Sequence, residues 1–261
     1  MSDQITSLVS AITKFLGCPC TYFAPMVDDE PLMEAYRQAL EESAELKTFV
    51  PVIIVPSETL LDTLVMNSDE TANGDDIPEK YDLDEVTRFR NELLTADSTQ
   101  GGAALSELVS IAQDVLEDPE LFERMINEEG GTVESHHQFL SYWDYDSGMT
   151  EHVILAKIPV QHPYNVFAYL PMGGWNACPS NSALIAISRL WYEKYSAIPA
   201  VISKDTVEYL VDEAVPESEC KDLAIKQYAF CPSIIEESDG ITISSHAEGL
   251  KTSSVWYFWW D

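Results

Sequence analysis

The chain has few basic residues, and this shortage sets the first limits on its function. Lysine and arginine together number 14 against 45 aspartates and glutamates, which gives a formal net charge of −31 over 261 residues. Such a charge repels phosphate groups, so it argues against a nucleic-acid-binding face and against attraction to an anionic membrane. It favours association with a basic protein partner. Solubility alone also explains an acidic surface, and the sequence leaves both interpretations open.

Long apolar runs, a secretory leader and a cysteine framework are lacking as well. No segment approaches the roughly 18 consecutive apolar residues that a membrane-spanning helix needs. Residues 1–14 show neither a basic region nor a small-residue cleavage site, which predicts a cytoplasmic protein. The odd number of cysteines is typical of reduced thiols rather than disulfides. They are Cys18, Cys20, Cys178, Cys220 and Cys231.

The pattern of apolar residues predicts an α/β or α+β fold, in which helices flank a mixed central sheet. Amphipathic spacing predicts helices over residues 5–16, 31–46, 57–65, 182–195 and 217–230, with a shorter one within 240–251. Runs of β-branched and aromatic residues predict strands over 50–56, 153–159, 198–202, 206–211 and 255–260. We expect the last four strands to share one sheet, with 255–260 paired inside it.

Composition divides the chain into two predicted domains, an N-terminal α/β region over 1–150 and a C-terminal domain over 151–261. The N-terminal region carries an acidic helical segment, about 66–135, in which the pair Gly101-Gly102 is expected to break the helix. Residues 136–145 are expected to form a strand that pairs with 150–160 as a hairpin.

The loop 170–179, Leu-Pro-Met-Gly-Gly-Trp-Asn-Ala-Cys-Pro, is the strongest candidate site in the sequence. Its two glycines permit positive φ or a close backbone approach, and its tryptophan is costly to expose. In a structural corner the tryptophan is buried, the asparagine bonds to the backbone and the cysteine is inert. In a site, the tryptophan and asparagine line a concavity and the cysteine is reachable from solvent. The predicted binding residues are Gly173, Gly174, Trp175, Asn176 and the terminal Asp261.

Cys178 and His162 are weak candidates for catalysis. Cys178 precedes the predicted helix 182–195, whose N-terminus lowers the pKa of a nearby thiol, and His162 is available as a general base. No third residue that would orient the histidine is evident, and cysteine is commonly a buried apolar residue. We therefore assign no catalytic residue. Cys220, on the helix 217–230, is expected to be more exposed than Cys178.

Metal and cofactor signatures are incomplete. Zinc needs four ligands, whereas Cys18-x-Cys20 and the pair His136-His137 offer two each, and the paired Cys-x2-Cys spacing is absent. Gly173-Gly174 is not followed by the lysine and hydroxyl residue of a phosphate-binding loop. The sequence therefore predicts no metal site and no cofactor.

The C-terminal motifs resemble a known family. In order they are a strand ending in Pro159, the Leu-Pro-x-Gly-Gly-Trp-Asn-x-Cys-Pro loop, the helix with Trp191-Tyr192, the helix end Gln227-Tyr228-x-x-Cys-Pro, and a Trp-rich terminus ending in Asp261. These landmarks resemble the bacterial family called domain of unknown function 4253, over about 153–261 and loosely around 50–56. The family has no assigned activity, so the resemblance implies no mechanism. Ser233 stands where many members have Asp, which leaves the role of a carboxylate there in doubt.

Two function classes follow. The first is a non-enzymatic acidic module that binds a basic protein partner, as an immunity or antitoxin-like protein binds a basic toxin. The missing catalytic signatures and the charge favour it. The alternative is a small cysteine-dependent hydrolase or transferase that uses Cys178 and His162 near Trp175 and Asn176.

Overall fold

The computed structural model describes residues 3–69, 81–115, 119–128, 130–131 and 135–261, and these residues form α-helices and β-strands in mixed order. The helices are α1 (Asp3–Leu16), α2 (Glu30–Leu46), α3 (Glu58–Ser68), α4 (Leu83–Thr95), α5 (Gly101–Val115), α6 (Pro119–Asn127), α7 (Asn181–Tyr195), α8 (Glu217–Phe230), α9 (Ser233–Glu236) and α10 (Ile243–Leu250). The strands are β1 (Cys20–Phe23), β2 (Val50–Ile54), β3 (Trp143–Asp144), β4 (Met149–Thr150), β5 (Val153–Ile158), β6 (Ile198–Ile202), β7 (Thr206–Leu210) and β8 (Val255–Trp259).

A mixed six-stranded sheet with the strand order β1-β5-β2-β6-β7-β8 is the main β-structure. β5 runs antiparallel to both β1 and β2, whereas β2 and β6 are parallel, with Ile53 opposite Val201. Every residue of β2 is buried, as its continuous apolar sequence predicts for an interior strand. The mixed sheet and its flanking helices confirm the predicted fold class.

Helix starts follow the capping residues of the sequence. The side-chain oxygen of Ser57 accepts a hydrogen bond from the Leu60 N–H at the start of α3, and Ser180 accepts one from the Ala183 N–H at the start of α7. The acidic segment is helical where it is described, as α4, α5 and α6. Residues 70–80, 116–118, 129 and 132–134 of that segment lie outside the described residues.

The predicted hairpin between 136–145 and 150–160 is confirmed only next to its turn. Of the first stretch only β3 is extended, and its Trp143 pairs with Thr150 of β4 in a separate two-stranded sheet. The rest of the predicted pairing is wrong, because β5 pairs with β1 and β2. At the start of the first stretch, the carbonyl oxygen of His136 accepts hydrogen bonds from the N–H groups of Ser254 and Val255.

Two further expectations about elements are wrong. Gly101-Gly102 does not break the helix but forms the first turn of α5. β8 stands last in the strand order of the described sheet, so it is paired on one side rather than inside it. Its residues are nevertheless buried, since Val255, Trp256 and Phe258 are each at most 2% exposed.

The chain forms two compact units, each built from three separate stretches. The first unit comprises Met1–Ala96, Leu140–Met172 and Pro199–Val207. Within it, α2 packs on β2 and β5, α3 contacts α1 and α4, and α4 contacts the short 3-10 helix Pro163–Ala168. The predicted domains 1–150 and 151–261 stay a prediction.

The second unit comprises Asp97–Phe139, Gly173–Ile198 and Glu208–Asp261. In it, α5 packs on α7 and α8, and α10 packs on α8 and α6. An aromatic cluster centred on Trp191 forms its core, with ring centroids 4.8 Å from Phe230, 5.4 Å from Phe258 and 5.6 Å from Trp256. Such contacts add to the free energy gained by burying large apolar side chains.

Candidate binding site

The part of the loop that lies in the second unit, Gly173–Pro179, is tightly folded. The Gly173 N–H donates to Asn181 Oδ1 at 2.9 Å, and the Gly174 N–H donates to the Pro179 carbonyl oxygen at 2.9 Å. A Cβ on Gly173 would lie 2.2 Å from that same carbonyl oxygen, and Gly174 adopts φ +89°. Both glycines are therefore required by the backbone, because other residues would clash or be strained.

The predicted binding residues Asn176 and Asp261 lie together. Asn176 is exposed and its backbone has φ 44°. Its side-chain Nδ2 donates to the Asp261 carbonyl oxygen at 2.8 Å, and this hydrogen bond ties Asp261 to the loop. Trp175 is half-buried, which lies between the burial expected of a structural corner and the exposure expected of a site.

Cys178 is buried in the interior of the second unit. It is 4% exposed, and burial together with the neighbouring Cys231 raises the pKa of its thiol. His162 belongs to the first unit, where it is exposed and stacks on Tyr164 with ring centroids 5.1 Å apart. A buried, protonated thiol is a poor nucleophile, so the structure lends no support to Cys178 as a catalytic residue.

The expectation that Cys220 is the more exposed thiol is wrong. Cys220 is 2% exposed because it shares the inward face of α8 with Leu223, Ala224 and Gln227. Its Sγ lies 3.4 Å from the Pro216 carbonyl oxygen. Among the cysteines, Cys18 and Cys20 are the half-buried ones.

A cavity of about 320 Å³ lies within the second unit, between α9, α10 and β8. No sequence motif predicts it. Its lining includes two histidines, three aromatic residues of one strand and a carboxylate. These are His136, His246, Trp256, Tyr257, Trp259 and Glu237.

Two elements bring the histidines of the cavity together. The α10 helix begins with a capping box of Thr242 and Ser245, and His246 follows in its first turns. His136 is held by its backbone, since its N–H donates to Ser253 Oγ at 3.1 Å and its carbonyl accepts from Ser254 and Val255. The start of one helix and the approach to β8 thus place both imidazoles at one cavity.

The imidazole of His246 is neutral at physiological pH. Packing around the ring, and secondarily the nearby His136, lower the pKa of His246 to about 4. His246 Nε2 lies 2.7 Å from Gln227 Oε1, which can only accept a hydrogen bond, so Nε2 carries the hydrogen. The other nitrogen, Nδ1, is then an acceptor.

Two buried donors near the cavity lack acceptors. Neither Gln227 Nε2 nor Trp256 Nε1 has a hydrogen-bond partner among the described residues. Trp256 lines the cavity and Gln227 bonds to His246, which lines it too. Trp191 Nε1 has no partner among the described residues either, and the Trp256 ring packs on Trp191 and Tyr195, so the Trp256 indole belongs to the aromatic core of the unit.

The charge at the cavity is negative at its exposed side. Glu237 lines the cavity and is exposed, and Glu236 and Asp239 beside it are exposed too. In the part of the chain that the structure describes, no group of three or more His, Cys, Asp or Glu side chains is arranged to hold a metal ion. The cavity is therefore lined by aromatic and imidazole side chains and a carboxylate, which are groups suited to binding.

Sequence reasoning missed this cavity because its residues come from several elements and form no motif. In the sequence, His136 is half of an adjacent histidine pair, and Glu237 and His246 belong to no recognisable motif. The Trp-rich terminus and the Gln227-Tyr228 motif were the available pointers, since one supplies a wall and the other the partner of His246.

Comparison with known proteins finds one family match, which covers about two fifths of the chain. Residues 154–261 match a family described as a domain of unknown function (DUF4253). The match supports the resemblance predicted from the motifs, does not extend to 50–56, and contains every cavity residue named above except His136. No curated protein and no solved structure matches the chain. None of the described helices combines the length and apolar character needed to cross a bilayer.

Proposed function

We propose that this protein is a non-enzymatic acidic module that binds a basic protein partner. The observation that carries the proposal is that lysine and arginine are few and that many of them form ion pairs within the chain. Many basic side chains of the described residues are paired with carboxylates of the same chain, while 45 acidic residues face only 14 basic ones. The paired residues are Arg37, Arg88, Lys157, Arg189, Lys194, Lys204, Lys226 and Lys251.

Because these pairs are largely exposed, each adds little to stability, about 0–1 kcal/mol. Their effect on recognition is larger, since they leave few cations to attract an acidic partner. The remaining carboxylates form a negative field that accelerates encounter with a positively charged protein. An immunity or antitoxin-like role, in which this surface covers a basic toxin, is the form of the function that the charge favours.

The alternative, a cysteine-dependent hydrolase or transferase, has no such support. Burial raises the pKa of the Cys178 thiol, so the thiol is a poor nucleophile for the candidate base His162 to activate. Binding of a basic partner needs neither residue. The proposal is therefore a binding function.

The test is the binding of a fluorescent peptide rich in lysine and arginine, with the glutamate-substituted peptide as its control. We expect the basic peptide to bind and its association rate to fall steeply between about 20 mM and about 500 mM NaCl, because salt screens the field. Equal binding of the two peptides at low salt would overturn the proposal.

Two matched double variants locate the binding face. E41Q/E45Q removes two exposed charges of α2 in the first unit, and D212N/E213Q removes two exposed charges in the second unit. Each variant changes the net charge by the same amount. The variant with the slower association identifies the unit that meets the partner, and unchanged rates in both would argue against these faces.

A further inference from the structure

We propose that the cavity of the second unit is an anchor pocket for one cationic side chain, arginine or lysine, of the basic partner. The inference rests on the proposed function, because it names the site at which that partner is held. It assigns a binding role to residues outside the loop 170–179.

The size of the cavity limits its occupant to a small group. Its volume of about 320 Å³ is at the lower end of the range for ligand pockets, roughly 300–1,000 Å³. A single extended side chain suits such a space better than a cofactor or a drug-sized ligand. A side chain is also what a protein partner can insert.

The walls of the cavity suit a cation. Tyr257 and Trp259 are alternate residues of β8, so they lie on the same face of the strand, and both are half-buried. The face of a tryptophan or tyrosine ring attracts an ammonium or guanidinium group, more strongly when the site is shielded from water. The aromatic wall therefore favours a positively charged side chain with an apolar stem.

The charges around the cavity agree with this occupant. Glu237 lines the cavity and is exposed, and its sequence neighbours Glu236 and Asp239 are exposed carboxylates too. His246 lines the cavity as a neutral imidazole, so it does not repel a cation. An anionic ligand would meet these carboxylates without an ion pair, and desolvating it there would be costly.

The first experiment uses Nα-acetyl-arginine methylamide as the probe and the citrulline analogue, its uncharged isostere, as the control. The indole N–H resonance of Trp259 in the isotope-labelled full chain reports binding. We expect this resonance to shift with the arginine probe and the affinity for the citrulline probe to be at least about threefold weaker. Equal affinity for the two would overturn a cationic occupant, and no shift with either would overturn the pocket.

The second experiment compares two charge-matched variants. We expect E237Q to weaken binding of the arginine probe and of the basic peptide about three- to tenfold, whereas E213Q, which removes an exposed charge outside the cavity lining, leaves the probe affinity unchanged. Variant W259L removes part of the aromatic wall, and its affinity for the arginine probe is compared with that of the wild-type protein only if its melting temperature shows that it folds. If W259L does not fold, the affinity of E237Q alone decides the test.

The two proposals fail in different ways. If wild-type protein binds the basic peptide and E237Q binds it equally well, the anchor pocket is wrong and the acidic surface remains the binding site. If wild-type protein binds the basic and the acidic peptide alike, the proposed function itself is wrong.

Discussion

The buried thiols of the second unit have higher pKa values than a free cysteine, and the cause is burial. Burial raises the pKa of the Cys231 thiol to about 12, and that of Cys178 is raised for the same reason. In the first unit, Cys20 is half-buried and accepts a hydrogen bond from Cys18, which lowers the pKa of Cys20. A thiolate is the reactive form, so these environments set the order of reactivity.

Alkylation of the native protein should label Cys20 first and leave Cys178 and Cys220 unmodified until the protein is unfolded. Iodoacetamide labelling across pH, followed by peptide mass spectrometry, measures each site, and C20S serves as the control. Rapid labelling of native Cys178 with a low apparent pKa would contradict its burial and revive the Cys-His hypothesis.

His246 should make stability depend on pH. Its pKa is about 4 in the folded protein and about 6.5 when unfolded, so between these values the unfolded state binds more protons. The free energy of unfolding should therefore fall as pH decreases from about 6.5 towards about 4. Urea unfolding measures this slope, and NMR titration of the ring gives the pKa directly.

The control variants for this prediction are H246N and H137N. Removing the titrating ring in H246N should flatten the slope, while H137N, at an exposed position, should leave it unchanged. A His246 ring that titrates near its usual value would contradict the prediction.

At the scale of elements, the close packing of α5 on α7 explains why a glycine stands at the first position of α5. Gly101 is buried, and α5 packs on α7 at this point. A Cβ on Gly101 would lie 2.2 Å from the Ala186 carbonyl oxygen, whereas a Cβ on Gly102 would meet nothing within 4 Å. Adjacent glycines of one helix turn therefore have different roles.

This pair supplies a matched prediction. G101A should destabilise the protein by about 1–3 kcal/mol, because the backbone of α5 or α7 must move to relieve the clash. G102A should stabilise it by about 0.4–1 kcal/mol, because alanine favours the helix and restricts the unfolded chain. Urea denaturation of both variants tests this, and equal shifts of the midpoint would contradict the close contact.

At the scale of the whole molecule, the net charge of −31 opposes the compact state. Self-repulsion between carboxylates is long-range at low ionic strength, whereas the ion pairs described above act over short distances and add little each. The balance of the two determines how stability responds to salt.

We expect the melting temperature to rise as NaCl increases from about 20 mM to about 500 mM, because screening weakens the repulsion more than it weakens exposed ion pairs. Differential scanning calorimetry measures the change. The E41Q/E45Q variant should gain less from salt than the wild-type protein. A melting temperature that falls with salt would show that the ion pairs outweigh the repulsion.

Much of the local structure could be predicted from the sequence. The apolar spacing of α7 and α8, the caps Ser57 and Ser180, and the β-branched run of β2 are short-range features, and each specifies its element without distant contacts. The motifs of the C-terminal half likewise predicted the family match over residues 154–261. The charge and the glycine requirements of the loop also follow from the sequence.

Only the tertiary structure decided what those elements face. The pairing of β5 with β1 and β2, the burial of Cys220 and the helical Gly101 depend on contacts between residues far apart in the chain. The cavity depends on them most, because His136, Gln227, His246 and Trp259 meet only after packing. Periodicity reports which face of an element is apolar, but not which other element covers it, and that choice is made by long-range packing.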